Sequence, residues 1–160
     1  MGRVREVIIT SGIPGAGKST WVKKNTNPYM TEVFSADTYF FNSNGKYHFD
    51  PSKLGEAHSS CLKNYTIRLL QLYNDSRPSG NITLVVDNTN TSAWEIAPYY
   101  SLAQAFNIPV RIVRIIAPPE TAFSRNIHGV EREKIQKMAE RIKMNPLPPF
   151  WNVEEVAAGK

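Results

Sequence analysis

The sequence predicts an α/β domain: a parallel sheet of four to five strands with helices on both faces. Short apolar runs recur at 7–10, 32–36, 82–86 and 110–116. Each is followed by a stretch with helical features, and a glycine-rich turn joins the first run to the first such stretch. Strands that alternate with helices form parallel sheets covered on both sides, and strands buried on both faces read as near-continuous apolar runs.

The elements follow in order. Val7, Ile8, Ile9 and Thr10 make a short run that stops at Gly12, as a buried strand does. Helical character begins at Lys18 and lasts to Lys24. The run at 32–36 is a weaker second strand, and residues 42–45 are turn-rich between two groups of aromatics. Asp50-Pro51 is a good helix start, with Asp as the cap and Pro in the first turn. Leu54, Ala57, Cys61, Leu62, Tyr65, Leu69 and Leu72 then recur at spacings of three and four, the signature of a long amphipathic helix.

The run at 82–86 is the third strand. Ser92-Ala93-Trp94-Glu95 has the form of a capping box opening the next helix, with Pro98 in its first two turns. A fourth strand spans 110–116, interrupted by Arg111 and Arg114. Pro119-Glu120 opens a further helix, and Ile135, Met138 and Ile142 line one side of another. Pro146, Pro148 and Pro149 end regular structure. The expected organisation is one domain over 1–144, with a Pro-rich and partly disordered tail over 145–160.

A chain of 160 residues with 41% hydrophobic and 21% charged residues can build one core without disulfides. Cys61 is its one cysteine, which points to a reducing, cytoplasmic setting and a buried inert thiol. No apolar run approaches the ~20 residues of a membrane span. Residues 1–6 do not read as a secretory signal, and no His/Cys spacing suggests a structural metal. Net charge is +5, which suits an anionic substrate, nucleic acid included.

Gly12-Ile13-Pro14-Gly15-Ala16-Gly17-Lys18-Ser19 matches G-x-x-x-x-G-K-[ST] without gaps, between a strand and a helix. Its glycines let the backbone curl so that successive N–H groups face inward as an anion nest. The helix that follows, which also carries Thr20, turns its positive end to the phosphates. Lys18 reaches the β- and γ-phosphates of ATP, and the Ser19 hydroxyl suits Mg²⁺. The expected architecture is therefore the P-loop nucleotide-binding and kinase fold.

Asp37 follows the second strand and Asp87 ends the third. Ligands of open α/β sheets bind beyond the carboxyl ends of the strands, so both acids share an edge with the loop. A run at 82–86 with four apolar residues, and then a carboxylate, gives Asp87 the form of a metal-orienting acid, with a turn cap as its alternative. Asp37 is placed either to take the proton of an acceptor hydroxyl or to cap the segment after it. The residues alone leave both open.

Together the loop, Ser35-Ala36-Asp37, Asp87-Asn88-Thr89-Asn90 and Arg125-Asn126-Ile127-His128-Gly129-Val130 resemble the phage-type polynucleotide 5′-hydroxyl kinases, a group of P-loop kinases. Within that group the chain is most similar to the small kinase domain of eukaryotic ubiquitin-ligase-binding proteins. Gly45, Tyr47, Phe49 and Pro51, with Ala57-His58, fit the same subgroup. The resemblance covers nearly the whole chain. It implies that Asp37 is the catalytic base, that Lys18 and Ser19 serve ATP and Mg²⁺, and that Asp87 belongs to the site.

It further implies a small helical lid at about 126–137, with Arg125 stabilising charge on the transferring group. The phage-type pattern has a second arginine where this chain has His128, with Arg132 as a candidate replacement. Acceptor-side candidates are Tyr39, Asn88, Asn90, Trp94 and His58, while Phe40 and Phe49 are read as core. The implied reaction transfers the γ-phosphoryl group of ATP to the 5′-hydroxyl end of a nucleic acid. Rival readings are a kinase for a nucleoside, a sugar or a hydroxymethylated base in DNA, and a non-catalytic ATP-binding switch or partner-binding module.

Overall fold

The computed structural model describes residues 2–77, 81–126 and 129–158. Five parallel strands form one sheet in the order β2-β3-β1-β4-β5. They are β1 (Val4–Ser11), β2 (Thr31–Phe34), β3 (Ile82–Asp87), β4 (Val110–Ile116) and β5 (Val153–Ala157). Helices α1 (Lys18–Asn25), α2 (Leu54–Tyr73), α3 (Ala93–Ala105), α4 (Pro119–Arg125) and α5 (Arg132–Met144) complete the described regular structure with three short 3₁₀ turns.

Alternation along the central strands divides the core. Val7 and Ile9 of β1, Leu84 and Val86 of β3 and Ile112 of β4 pack with Tyr65 and Leu69 of α2 and Ile96 and Tyr99 of α3. Ile8, Val85 and Val113 turn to the other cluster, with Val22 of α1, Ala122 of α4 and Ile135 of α5. Successive strand residues point to opposite faces, and both faces are covered, so the unbroken apolar runs are accounted for. No described helix is long and apolar enough to cross a membrane.

Local signals hold with two amendments. Asp50 does cap a turn: its carboxylate accepts from the Ser52 amide at 3.0 Å, and the 3₁₀ turn Pro51–Lys53 leads into α2. Ser92 occupies the cap of α3, but the reciprocal capping box does not form. Its hydroxyl instead donates to Glu95 at 2.9 Å, beside Thr91 at 2.8 Å. Regular structure also does not end at Pro146. The chain returns to the sheet as β5, pairing Ile112 with Val153 through Ile116 with Ala157. Trp151 anchors that return, stacking on Tyr100 at 4.7 Å between centroids. The amide of Asn152 also donates to the Tyr100 hydroxyl at 2.8 Å.

Candidate functional site

The loop from Gly12 to Ser19 joins β1 to α1 at the carboxyl edge of the sheet. Gly12 donates its N–H to the Thr89 carbonyl at 2.8 Å, which ties the loop's entrance to the turn after β3. Gly15 has a φ of 81°, and a side chain there would run into the carbonyl oxygen of Ala122. Gly17, at φ 101°, opens α1 in the left-handed region. Ile13 and Ala16 bury their side chains, Pro14 is half-buried, and Thr20 is exposed on the first turn of α1.

Lys18 lies back across this loop, its Nζ donating to the Gly12 and Ile13 carbonyls at 3.0 Å each. Burial pushes its pKa below the ordinary lysine value, while the charges of Asp87 and Asp37 act in the opposite sense. Lysine and both carboxylates therefore share one electrostatic neighbourhood.

Asp87, at the tip of β3, accepts from two hydroxyls. Ser19 Oγ is 2.9 Å from Oδ2, and Thr10 Oγ1 is 2.8 Å from Oδ1. The Ser19–Asp87 pair suits Mg²⁺, because a hydroxyl and a carboxylate oxygen already lie side by side. Bound there, the ion would neutralise charge on the phosphates. The Thr10 contact was not legible in the sequence, since any small residue fits the end of a buried strand.

Asp37 sits in the 3₁₀ turn Ala36–Phe40 after β2. Ser35 performs the capping, its hydroxyl accepting from the Asp37 amide at 3.2 Å. The Asp37 carboxylate is thereby not needed as the cap. It accepts from the Tyr47 hydroxyl at 3.3 Å. Burial first, and Asp37 next, raise the Tyr47 phenol above its ordinary value, so it remains a donor at neutral pH. Tyr47 arrives through a small hairpin in which Phe41 and Tyr47 bridge and Gly45 donates to Asn42 at 2.9 Å. The turn is readable in the sequence, but its landing point on Asp37 is not.

The acceptor-side candidates divide. Asn88 is buried and engaged at both ends of its amide. Its Oδ1 accepts from the Ala36 N–H at 2.8 Å, and its Nδ2 meets Cys61 Sγ at 3.6 Å. It thus holds the Asp37 turn against β3 rather than facing an acceptor. Asn90, also buried, has a φ of 45° and gives its Nδ2 to the Thr10 carbonyl at 2.8 Å. Tyr39 is partly exposed, with its hydroxyl on Glu56 at 2.6 Å. Trp94 is 76% exposed at the start of α3, and His58 is exposed on α2. Phe40 is core, as expected. Phe49 is not: it is 47% exposed, packed edge-on against Phe40.

Arg125 is exposed at the end of α4. Asn126 Nδ2 donates to the Val130 carbonyl at 2.7 Å. His128 lies outside the described residues. Arg132 stacks over the Phe123 ring at 4.6 Å and pairs with Glu120 at 3.3 Å, so it braces α5 against α4.

Comparison with known proteins agrees with this fold. A family model described as an AAA domain matches residues 7–144. Human NEDD4-binding protein 2 is 33% identical over 149 residues, which cover 84% of this chain and 7% of that protein. Mouse YLP motif-containing protein 1 is 25% identical over 159 residues, or 89% of this chain and 11% of that protein. The chain thus spans only a small part of the relatives it matches. Kti12 of Chaetomium thermophilum, solved with ADP-AlF3, superposes with a TM-score of 0.60 at 16% identity, covering 94% of this chain and 88% of that one. A gluconokinase from Sinorhizobium meliloti gives 0.57 at 12% identity, covering 99% and 85%. A chain of the Pnkp1/Rnl/Hen1 RNA repair complex gives 0.65 at 12% identity, covering 90% and 46%. With its intact phosphate-binding loop on a five-stranded parallel sheet, the chain belongs to this AAA-domain family of P-loop, kinase-like nucleotide-binding proteins.

Proposed function

We propose that this chain is an ATP-dependent kinase of the phage-type polynucleotide group, acting on the 5′-hydroxyl of a nucleic acid. The observation that carries the reading is the convergence of Lys18, Asp87 and Asp37 at one edge, with Ser19 bonded to Asp87. A nucleotide switch needs the first two but has no use for a second carboxylate beside them. When bound, Mg²⁺·ATP supplies the γ-phosphoryl group and the charge that is moved.

In this reading the loop amides and Lys18 hold the phosphates. Ser19 and Asp87 would hold the metal, and Asp37 accepts the proton of the acceptor hydroxyl as the new P–O bond forms and the bond from the γ-phosphorus to the departing ADP breaks. Tyr47 holds the Asp37 carboxylate in place by donating to it. Arg125 is placed at the lid to meet charge on the transferring group. Nucleic acid is favoured as acceptor by the net charge of +5, by the exposed aromatics Tyr39 and Trp94 and by the sequence resemblance. The fold leaves this open, since its neighbours include a sugar-acid kinase and a member of an RNA repair complex.

An acceptor screen with γ-labelled ATP across DNA, RNA, nucleosides and sugar alcohols tests the reading. Label on 5′-hydroxyl oligonucleotides is the expected result. Label confined to nucleosides or sugars would replace the acceptor, and no transfer to any hydroxyl would favour the switch.

A further inference from the structure

β1 and β3 run side by side with Thr10 opposite Asp87. Successive strand residues alternate between faces. Thr10 therefore continues the row of Ile8, and Asp87 that of Val85, on the face that packs with Val22 of α1. Ser19 belongs to the same helix. Thr10 is as completely buried as Ile8, where packing alone calls for no hydroxyl.

A buried hydroxyl needs a partner. Thr10 Oγ1 lies 2.8 Å from Asp87 Oδ1 and 3.4 Å from the Val86 carbonyl oxygen. It has one proton to give, and the shorter contact, to the charged oxygen, takes it. Two constraints hold this donor still. A β-branched side chain is stiff at χ1, and the Thr10 carbonyl accepts from Asn90 Nδ2 at 2.8 Å. The acceptor has more freedom. The terminal torsion of an aspartate is broad and roughly two-fold, so nothing within Asp87 sets the plane of its carboxylate. With Oδ1 engaged by Thr10, Oδ2 is the oxygen that lies 2.9 Å from Ser19 Oγ.

We propose that Thr10 is a positioning residue for the metal site: its hydroxyl sets the plane of the Asp87 carboxylate so that one oxygen stays on the Ser19 side, available to Mg²⁺. Hydrogen-bonded partners of ligating carboxylates orient them, and losing one costs about 10–100-fold in metal affinity or activity. The proposal rests on the reading of Ser19 and Asp87 as the metal site and not on the identity of the acceptor.

Affinity for a non-hydrolysable ATP analogue is measured on the intact chain by calorimetry, once with excess Mg²⁺ and once in EDTA. The ratio of the two affinities reads the metal's contribution. Thr10→Val replaces the hydroxyl by a methyl of similar size. It should lower the ratio by about tenfold, the small end of that range, and leave the EDTA affinity unchanged. Thr10→Ser, which keeps the hydroxyl, should restore the ratio. Should Thr10→Val fail to fold in a thermal melt, Thr10→Cys takes its place. Its thiol is similar in size but a weak donor, and the ratio should fall in the same direction. Asp87→Asn separates the proposal from the reading beneath it. If that variant keeps the ratio of the unaltered chain, the metal site is wrong and the proposal falls with it. If it collapses the ratio while Thr10→Val or its substitute keeps the unaltered value, the metal site stands and the proposal is overturned. Equal weakening with Mg²⁺ and in EDTA also overturns it, because Thr10 would then act through packing alone.

Discussion

Lys18 and Asp37 are tied to the same edge by different kinds of constraint. Lys18 is placed by its own loop, whose two carbonyls hold its Nζ at 3.0 Å. Asp37 is placed from a distance, by Ser35 on its amide, Asn88 on the preceding amide and Tyr47 on its carboxylate. The prediction at this scale concerns Asp37. Asp37→Asn keeps the shape but cannot accept a proton as a carboxylate does. On the kinase reading it lowers kcat by ~10²–10⁴ and leaves ATP affinity nearly unchanged, because the phosphates are held elsewhere. Steady-state kinetics beside calorimetric ATP titration checks this. Turnover near that of the unaltered chain would reduce Asp37 to a substrate ligand or a structural residue. Tyr47 could not be assigned from sequence, because its partner lies ten positions away across a turn whose exit angle the residues do not specify.

Among the elements, β5 and the segment before it depend most on distant contacts. Val153–Ala157 carries two consecutive glutamates and follows a proline-rich stretch, so it has little strand signal of its own. Its hydrogen bonds come from β4, and its position is fixed by Trp151 on Tyr100. Trp151→Ala should therefore cost about 3 kcal/mol, the lower end for a large aromatic truncation, read as a shift in urea midpoint. A change within about 0.5 kcal/mol, the range of surface substitutions, would mean that the segment is not held by this stack.

At the amino end of β1, Asp75 beyond α2 pairs with Arg77 at 2.7 Å and with Arg3 at 3.1 Å. Its bonds to Arg77, and then to Arg3, hold its pKa well below the ordinary value of 3.8. A depressed carboxylate contributes stability that is complete above the unfolded value and is lost as the pH falls through it toward the folded value. Unfolding followed below pH 5 should thus show a shallower acid loss for Asp75→Asn than for the unaltered chain. Identical acid limbs would show that the ion pairs do not couple to folding.

For the molecule as a whole, charge and edge geometry decide the substrate prediction. If the acceptor is a polynucleotide, Lys and Arg must neutralise backbone phosphates and release counterions, roughly 0.7 per phosphate for a single strand. The kcat/KM for a 5′-hydroxyl oligonucleotide should fall steeply between two salt concentrations and exceed that of the matching nucleoside. ATP affinity at fixed free Mg²⁺ should fall less, because its phosphates meet backbone donors as well as charge. A nucleoside that equals the oligomer, with both indifferent to salt, would assign the chain to a small-molecule kinase.

The sequence by itself determined the alternating α/β order, the phosphate-binding loop and the two acids at strand ends, because each is a contiguous pattern whose meaning is local. A strand running into Gly12–Ser19 and then a helix can place its ligand at only one edge of a parallel sheet. Tertiary structure alone decided that Asn88 and Asn90 brace the site from within, that Thr10 and Tyr47 complete the carboxylates' shells, and that the chain rejoins the sheet as β5. It also decided that Arg114, which interrupts β4, gives its Nε to Ser11 Oγ. These depend on contacts between residues far apart in the chain, and the partner that satisfies a buried polar group is settled by packing, not by the residues on either side of it.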